Sequence, residues 1–482
     1  MNYKMIGRFI AQILSVEGVF MIPALAISVG YKEWTATQAF LITIAAIIAV
    51  AGALFLICRK APNALDAREG MICVGISWIV LSLFGCLPFV LSREIPRYID
   101  AFFEIVSGFT TTGSSILSDV EALTPGILYW RSFSHWLGGM GVLVFLLAVA
   151  PGSKDKGFTM HLLRAESPGP DVGKLVPKMR KTASILYLIY IVMTVIDLLL
   201  LLLGDMHWLE ALCTAFGTAG TGGFGVRNDS MGSYSPYIQY VTTIFMFLFG
   251  INFNCYYLLL LRQFKSVFKD EELRTYCGIV IVAIAAIVLN IRHMYGTLEE
   301  TFRHASFTVS TIITTTGYGT TDFDQWPMFS KAIIMFLMVV GACAGSTGGG
   351  LKISRLLYLL KSLGRNITQV LNPRRVKAVR YNGQVLSETV LDNTNAYLVA
   401  YVFIIIFSFF LVSLDNESVG TTFTSVLACF NNIGPGLEAV GPTCNFGHLS
   451  DLSKLVLSAD MLAGRLEIFP ILVLFSKSTW KK

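Results

Sequence analysis

Four short stretches of this 482-residue chain combine hydroxyl or amide side chains with glycine in a pattern that suits a bare cation. They are Thr110-Thr111-Thr112-Gly113-Ser114, Ala219-Gly220-Thr221-Gly222-Gly223-Phe224, Thr314-Thr315-Thr316-Gly317-Tyr318-Gly319 and Asn431-Asn432-Ile433-Gly434-Pro435-Gly436. Glycine reaches backbone angles that a Cβ disfavours, so successive carbonyl oxygens can be turned to one side. Threonine adds a hydroxyl oxygen. Carbonyls are dipoles without net charge and suit monovalent ions. Divalent selectivity usually brings rings of carboxylates, and none stands in these turns.

The turns recur. Gly113, Gly222, Gly317 and Gly434, taken as their central glycines, are 109, 95 and 117 residues apart. Each follows an apolar stretch too short to span a bilayer, beginning near Ala101, Leu209, Phe302 and Phe423. This reads as one unit used four times: span, half-helix, turn, span. Two spans between successive turns put all four on one face of the membrane, where they can surround one axis. Irregular backbone at membrane depth is tolerated only where it lines a cavity or is buried in protein. Each half-helix would aim its partially negative C-terminus at the axis. The third turn, Thr315 to Gly319, differs from the potassium-channel signature TVGYG only at Thr316. These features predict a selectivity filter of Thr111, Thr112, Gly113, Gly220, Thr221, Gly222, Thr315, Thr316, Gly317, Asn432, Ile433 and Gly434. Within it, Thr111, Thr112, Thr221, Thr316 and Asn432 are expected to bind K⁺.

The elements that must hold these turns are helices in lipid. The chain is 54% hydrophobic and 14% charged, with a mean hydropathy of +0.65. A soluble domain carries about 25% charged residues. Apolar runs able to span fall near 8–30, 38–57, 71–91, 126–150, 183–203, 236–261, 276–291, 327–360, 391–413 and 449–475. The loops 58–70, 151–182, 262–275 and 361–390 are rich in Lys and Arg, whereas the opposite loops hold few. The positive-inside rule puts the basic loops and both termini in the cytoplasm. Glu17 and Pro23 interrupt the first run and no small-residue cleavage site follows it, so it reads as a span. The expected fold is an all-α polytopic membrane protein. Two N-terminal spans (1–70) precede four pore repeats (71–182, 183–275, 276–390 and 391–482), the third with a gate loop.

Other chemistry finds little support. The nine cysteines are scattered, without a CxxC pair, which argues against a disulfide framework or a zinc site. An intramembrane enzyme would need clustered carboxylates, a GxSG nucleophile or an HExxH pair, and a single-pocket transporter would more readily show two repeats than four. No nucleotide motif sits in a soluble context, and the basic loops answer to topology and lipid, not nucleic acid. Glu17 and Asp197 are lone carboxylates in spans; they read as hydrogen-bonded structural groups before proton relays. His135 and His304 read as packing residues.

Two features suggest a gate. The run 327–360 is too long for one straight span and is interrupted by Gly345-Ser346-Thr347-Gly348-Gly349-Gly350. A kink that allows close helix packing would explain it, and so would a loop that blocks the pore beneath the filter. Three consecutive glycines make a poor helix and a good hinge. Arg465 lies inside the last run, where it would cost about 2.5–3.5 kcal/mol at a helix centre. It should face the interior. An ion pair with Asp460 or Glu467 is the structural explanation, although Glu467 lies two residues on and does not share its helix face. The favoured reading is a positive barrier under the filter that also holds the loop, with Lys352 a lesser candidate.

The four turns, Gly341-Ala342-Cys343-Ala344-Gly345-Ser346-Thr347-Gly348-Gly349-Gly350-Leu351-Lys352 and Gly464-Arg465-Leu466-Glu467 together resemble the Trk/Ktr/HKT superfamily of potassium transporters. The resemblance runs nearly end to end. The two extra N-terminal spans and the short C-terminus resemble its TrkH branch. It implies K⁺ selectivity at Gly113, where relatives that pass Na⁺ carry serine, and a gate in the third repeat. It also implies a homodimer and a cytosolic nucleotide-binding ring of the TrkA type, for which the loop Asn372-Pro373-Arg374-Arg375-Val376-Lys377 is a docking candidate. The expected activity is K⁺ uptake, with Rb⁺ and Na⁺ as secondary ions, across a bacterial inner membrane, with no bound cofactor and no enzymatic activity. A 100 mV potential gives about 2.3 kcal/mol per charge, enough for roughly fifty-fold accumulation without a coupled ion.

Overall fold

A computed structural model describes residues 2–59, 67–141, 179–375 and 377–480. The centre of the basic loop 58–70, nearly all of the loop 151–182, the end of the run 126–150 and Val376 lie outside the described residues. The chain is helical, as expected. Among the described residues, six helices are long and apolar enough to cross a bilayer unbroken: Tyr3–Gly30, Trp34–Ile57, Arg68–Leu91, Ala183–Leu203, Glu271–Ile291 and Glu388–Asp415. The first two are the N-terminal spans. The other four each open one repeat.

Three of the remaining runs do not form straight spans, and each follows one of the Thr/Gly-rich or Asn/Gly-rich turns. Of the run 126–150, which follows the first turn, the described part is the helix Pro125–Gly139 and the residues to Gly141, at φ +75°. The second bends by 87° between Pro236–Phe249 and Phe253–Leu260. The third is divided into Met328–Val340 and Ile353–Leu371 by the loop 341–352. The fourth is divided into Asp451–Arg465 and Phe469–Phe475, with Glu467 and Ile468 at φ +55° and +67°. Broken helices in lipid need their freed backbone groups satisfied by protein. Here the breaks gather beneath the turns.

The four half-helices are Tyr98–Phe109, Trp208–Gly220, Leu298–Ile313 and Val419–Phe430. Two begin with side-chain caps: Thr297 accepts from the Glu300 amide at 3.1 Å and Ser418 from Thr421 at 3.0 Å. They run through the protein interior, and nearly every residue of their C-terminal halves is buried. Trp78, Trp130 and Trp326 are among the large side chains filling the space around them.

One element departs from the all-α expectation. Arg380–Tyr381 and Gln384–Val385 pair as a two-stranded hairpin. Asn382 and Gly383, both at positive φ, form its tip. Asn-Gly is the pair favoured by a two-residue hairpin turn.

Candidate ion-conducting site

The four half-helices end in the same way. In each, one residue takes the left-handed conformation: Thr111, Thr221, Thr315 and Asn432, at φ +55° to +58°. Its amide bonds back three residues, to the carbonyls of Gly108, Thr218, Ile312 and Cys429 at 3.1–3.2 Å. The next amide, of Thr112, Gly222, Thr316 or Ile433, bonds back five residues at 2.8–2.9 Å. This is a Schellman cap, which normally puts glycine at the left-handed position. Threonine there costs roughly 1–2 kcal/mol. The strain falls on the three threonines, since asparagine takes this conformation readily, and its repetition at equivalent places makes the turns the candidate site.

The following residue in each turn is a glycine at positive φ: Gly113, Gly223, Gly317 and Gly434. The second turn is therefore shifted by one from its sequence reading. Gly223, not Gly222, is the counterpart of Gly113, and Gly222 corresponds to Thr112, Thr316 and Ile433. Gly220, the last residue of its half-helix, corresponds to Thr110 and Thr314.

These glycines close a ring. A Cβ on Gly113 would overlap the Gly222 carbonyl oxygen, one on Gly223 that of Thr316, and one on Gly317 that of Ile433. A Cβ on Gly434 would lie 2.9 Å from the Thr112 oxygen. Each turn thus touches the next, and the fourth returns to the first. The carbonyls of Thr112, Gly222, Thr316 and Ile433 form one layer around a common axis. Above it lies a cavity of about 130 Å³, lined by Gly113, Gly223, Gly317 and Gly434 from all four turns.

The ring is braced from behind by groups the sequence reading did not single out. Glu104 and Arg131 form a buried ion pair at 2.7 Å. Glu104 also accepts from the Ser115 hydroxyl and the Ile116 amide, both at 2.9 Å, just past the first turn. Arg131 donates to the Gly225 carbonyl at 3.0 Å, past the second turn, and stacks 3.6 Å over Phe224. One pair fixes the exits of two turns. The available signal was a charge inside an apolar run, which demands a partner. His135 and His304 are packing residues, as read. The His135 ring bonds to the Gly108 carbonyl at 2.8 Å and accepts from Phe224, and His304 meets the Thr320 hydroxyl at 2.9 Å. The Tyr318 hydroxyl donates to the Thr214 carbonyl at 3.1 Å and locks the third turn to the second half-helix.

The loop 341–352 sits directly beneath the ring. A Cβ on Gly348 would lie 2.7 Å from the Thr314 carbonyl oxygen, and one on Gly349 would overlap that of Asn431. The Gly349 amide donates to the Thr315 hydroxyl at 2.7 Å. Glycine is required here because two backbones meet face to face. Arg465 donates to the Thr347 carbonyl at 2.8 Å and to the Gly138 and Gly139 carbonyls, the latter at 2.8 Å. It thus joins the helix Asp451–Arg465 to the loop and to the end of the helix Pro125–Gly139. Lys352 is buried, and its Nζ donates to the Gly348 carbonyl, which curls the loop on itself. The two carboxylates suggested as partners of Arg465 turn to other groups: Glu467 pairs with Arg355 at 2.5 Å, and Asp460 accepts from Ser408 at 2.7 Å. Among the described residues the hydrogen bonds expected of Glu17 and Asp197 find no partner; both side chains are buried.

A helical membrane protein whose four re-entrant turns converge on one axis has the build of a cation-transport protein. The family described as "TrkH: Cation transport protein" matches residues 36–482, and this chain belongs to it. It is 34% identical over 489 residues to the Trk system potassium uptake protein TrkH of Escherichia coli K12, with both chains fully covered. It is 31% identical to the Trk system potassium uptake protein TrkG of the same organism, over 96% of this chain and 95% of that one. The crystal structure of the potassium transporter TrkH from Vibrio parahaemolyticus superposes with a TM-score of 0.90 over all of both chains, at 30% identity.

Proposed function

We propose that this chain is the translocating subunit of a bacterial potassium-uptake system, a gated pore that K⁺ crosses down its electrochemical gradient. The observation that carries this reading is the closed ring of four glycines and four carbonyls. Backbone oxygens from the four turns can replace the water around one monovalent ion. The filter comprises Thr111 to Gly113, Thr221 to Gly223, Thr315 to Gly317 and Asn432 to Gly434, with K⁺ in the carbonyl layer. The loop 341–352 is the gate, since it occupies the axis below the filter, and Arg465 holds it there and opposes cations. The pore lies in the inner membrane with both termini cytoplasmic.

The same reading gives the chain a second copy and a cytosolic nucleotide-binding ring as partners. Leu363, Ile367, Val370 and Leu371 leave an apolar stripe exposed on the helix after the gate, a surface suited to the second copy. Arg374 and Arg375 are exposed at its end and suit an acidic partner surface. The test is ⁸⁶Rb⁺ flux into liposomes with K⁺ or Na⁺ as competitor, for the full chain and for a variant lacking residues 345–350. Rb⁺ flux that K⁺ blocks and Na⁺ does not supports the reading. A folded deletion variant that stays silent sinks it.

A further inference from the structure

Three consecutive acids open the span Glu271–Ile291, and each binds a different part of the third repeat. Asp270 caps the helix, accepting from the Leu273 amide at 2.8 Å. Glu271 faces the hairpin and the helix behind the gate. It accepts from the Asn382 amide at 3.1 Å and pairs with Lys361, whose Nζ also reaches the Arg380 carbonyl at 2.8 Å. Asn382 returns two bonds: its Oδ1 accepts from the Glu271 amide at 2.8 Å and its Nδ2 donates to Asp270 at 2.7 Å. Glu272 points the other way and is 3% exposed. Its Oε1 accepts from the Ala344 amide at 2.7 Å and from the Ser354 amide at 3.0 Å.

Those two amides lie on opposite sides of the gate loop. Ala344 is on its incoming limb. Ser354 is in the first turn of the helix that leaves it, where amides have no partner within the helix. One carboxylate oxygen therefore ties the loop's entry to its exit, with the favourable charge for a helix N-terminus. Leaving two buried amides unpaired is costly. The two bonds hold the loop's ends, and any movement that carries Ala344 or Ser354 away breaks at least one of them.

We infer that Glu272 is the latch of the gate, a positioning residue that keeps the loop under the filter, and that the Asn382 hairpin sets the latch through Glu271. The inference rests on the loop being the gate. Asp270, Glu271 and Glu272 are contiguous, so displacing the hairpin on the basic face of the protein moves the helix end that carries the latch. This gives a cytosolic partner a route to the gate that does not pass through the pore.

The experiment is ⁸⁶Rb⁺ flux in liposomes without any partner protein, for wild type, Glu272→Ala, Glu272→Gln, Asn382→Ala and the loop deletion, with Glu272→Ala also placed in the deletion background. Glu388→Gln, which removes an exposed ion pair with Arg365, is the control. Glu272→Ala should raise flux by about tenfold or more, the effect of losing two buried hydrogen bonds. Glu272→Gln keeps the acceptor oxygen and should give a smaller rise, as should Asn382→Ala. All three should leave Rb⁺ over Na⁺ discrimination unchanged, and Glu272→Ala should add nothing once the loop is deleted. A merely structural Glu272 would lower flux, or alter it equally with and without the loop; either result overturns the latch. If the deletion conducts and Glu272→Ala matches wild type, the latch fails while the pore stands. If the folded deletion is silent, pore and latch fall together.

Discussion

Placing an alanine methyl at Gly223 and, separately, at Gly434 tests the ring turn by turn. At Gly434 the new Cβ would lie 2.9 Å from the Thr112 oxygen and 3.4 Å from that of Gly113. That is closer than Cβ atoms normally come and the neighbour is backbone, so something must shift, but by far less than at Gly223. At Gly223 the Cβ would overlap the Thr316 oxygen outright, with Thr316 C at 2.8 Å and Gly317 C at 3.0 Å. Nothing there is a flexible side chain, so the third turn's carbonyl must move. Both sites also bear a positive-φ penalty, the larger at Gly434, whose φ of +102° lies outside the left-handed well. That penalty falls on folding, whereas the displaced oxygen bears on selectivity. If the oxygen contributes at least 1.4 kcal/mol of preference for K⁺, its loss is about tenfold in discrimination. Gly223→Ala should therefore lose about tenfold or more of K⁺ over Na⁺ competition against ⁸⁶Rb⁺ uptake, and Gly434→Ala less than about threefold. Gly222→Ala should differ in kind: its Cβ would strike the His135 ring behind the turn, so His135→Ala in the same chain should restore discrimination. Equal damage at Gly434 and Gly223, or wild-type discrimination in Gly223→Ala, would refute the ring and its register.

Further outcomes follow from neighbouring contacts. Arg465→Ala removes the donor to Thr347, Gly138 and Gly139 and should raise basal Rb⁺ flux about tenfold, given about 1.5–3 kcal/mol for a charged hydrogen bond; lower flux in a folded variant would count against the barrier. Arg131→Met strands the buried Glu104 carboxylate and should cost about 3–5 kcal/mol of stability, read by thermal unfolding in detergent; a change under 1 kcal/mol would contradict the bracing role. Glu94, outside the spans, accepts from the Thr124 amide at 2.9 Å and its hydroxyl at 2.7 Å, at the start of the helix after the first turn. Burial pushes its carboxyl above the usual range, outweighing the lowering by those bonds. A raised folded value means that the folded state holds the proton more tightly, so this contribution is full below the ordinary Glu range and is lost as pH rises through the folded value. The melting temperature of wild type minus that of Glu94→Gln should accordingly fall between pH 4.5 and 7; a difference that rises would reverse the assignment.

The six straight spans and the four re-entrant turns were legible because their signals are local. Twenty apolar residues, or a Thr/Gly cluster after a sub-span run, can be read without knowing what lies opposite. The register of the second turn was not, since Gly220, Gly222 and Gly223 offer three glycines for one role. Only the left-handed φ of Thr221 decides, although the two-residue step from Thr111 to Gly113 and from Thr315 to Gly317 could have pointed to Gly223. The interruption of the run 327–360 was readable from its glycines, but the breaks at Gly250 to Asn252 and Leu466 to Ile468 carry no such run. There the chain bends because neighbours supply partners: the Gly250 carbonyl accepts from Cys343, and the Phe253 amide donates to Gly345. Long-range partners such as Glu104 with Arg131 and Glu272 with Ala344 were beyond reach for the same reason. The hairpin was a missed local signal, since Asn382-Gly383 stood in plain view.

The pore stands or falls on whether one layer of oxygens from Thr112, Gly222, Thr316 and Ile433 holds the ion. The decisive experiment is an experimental structure with Tl⁺ in place of K⁺, its position found by anomalous scattering. A Tl⁺ peak is expected on the axis, in contact with that layer, and should weaken in Gly223→Ala. Tl⁺ bound elsewhere in the protein with the ring empty would contradict the assignment.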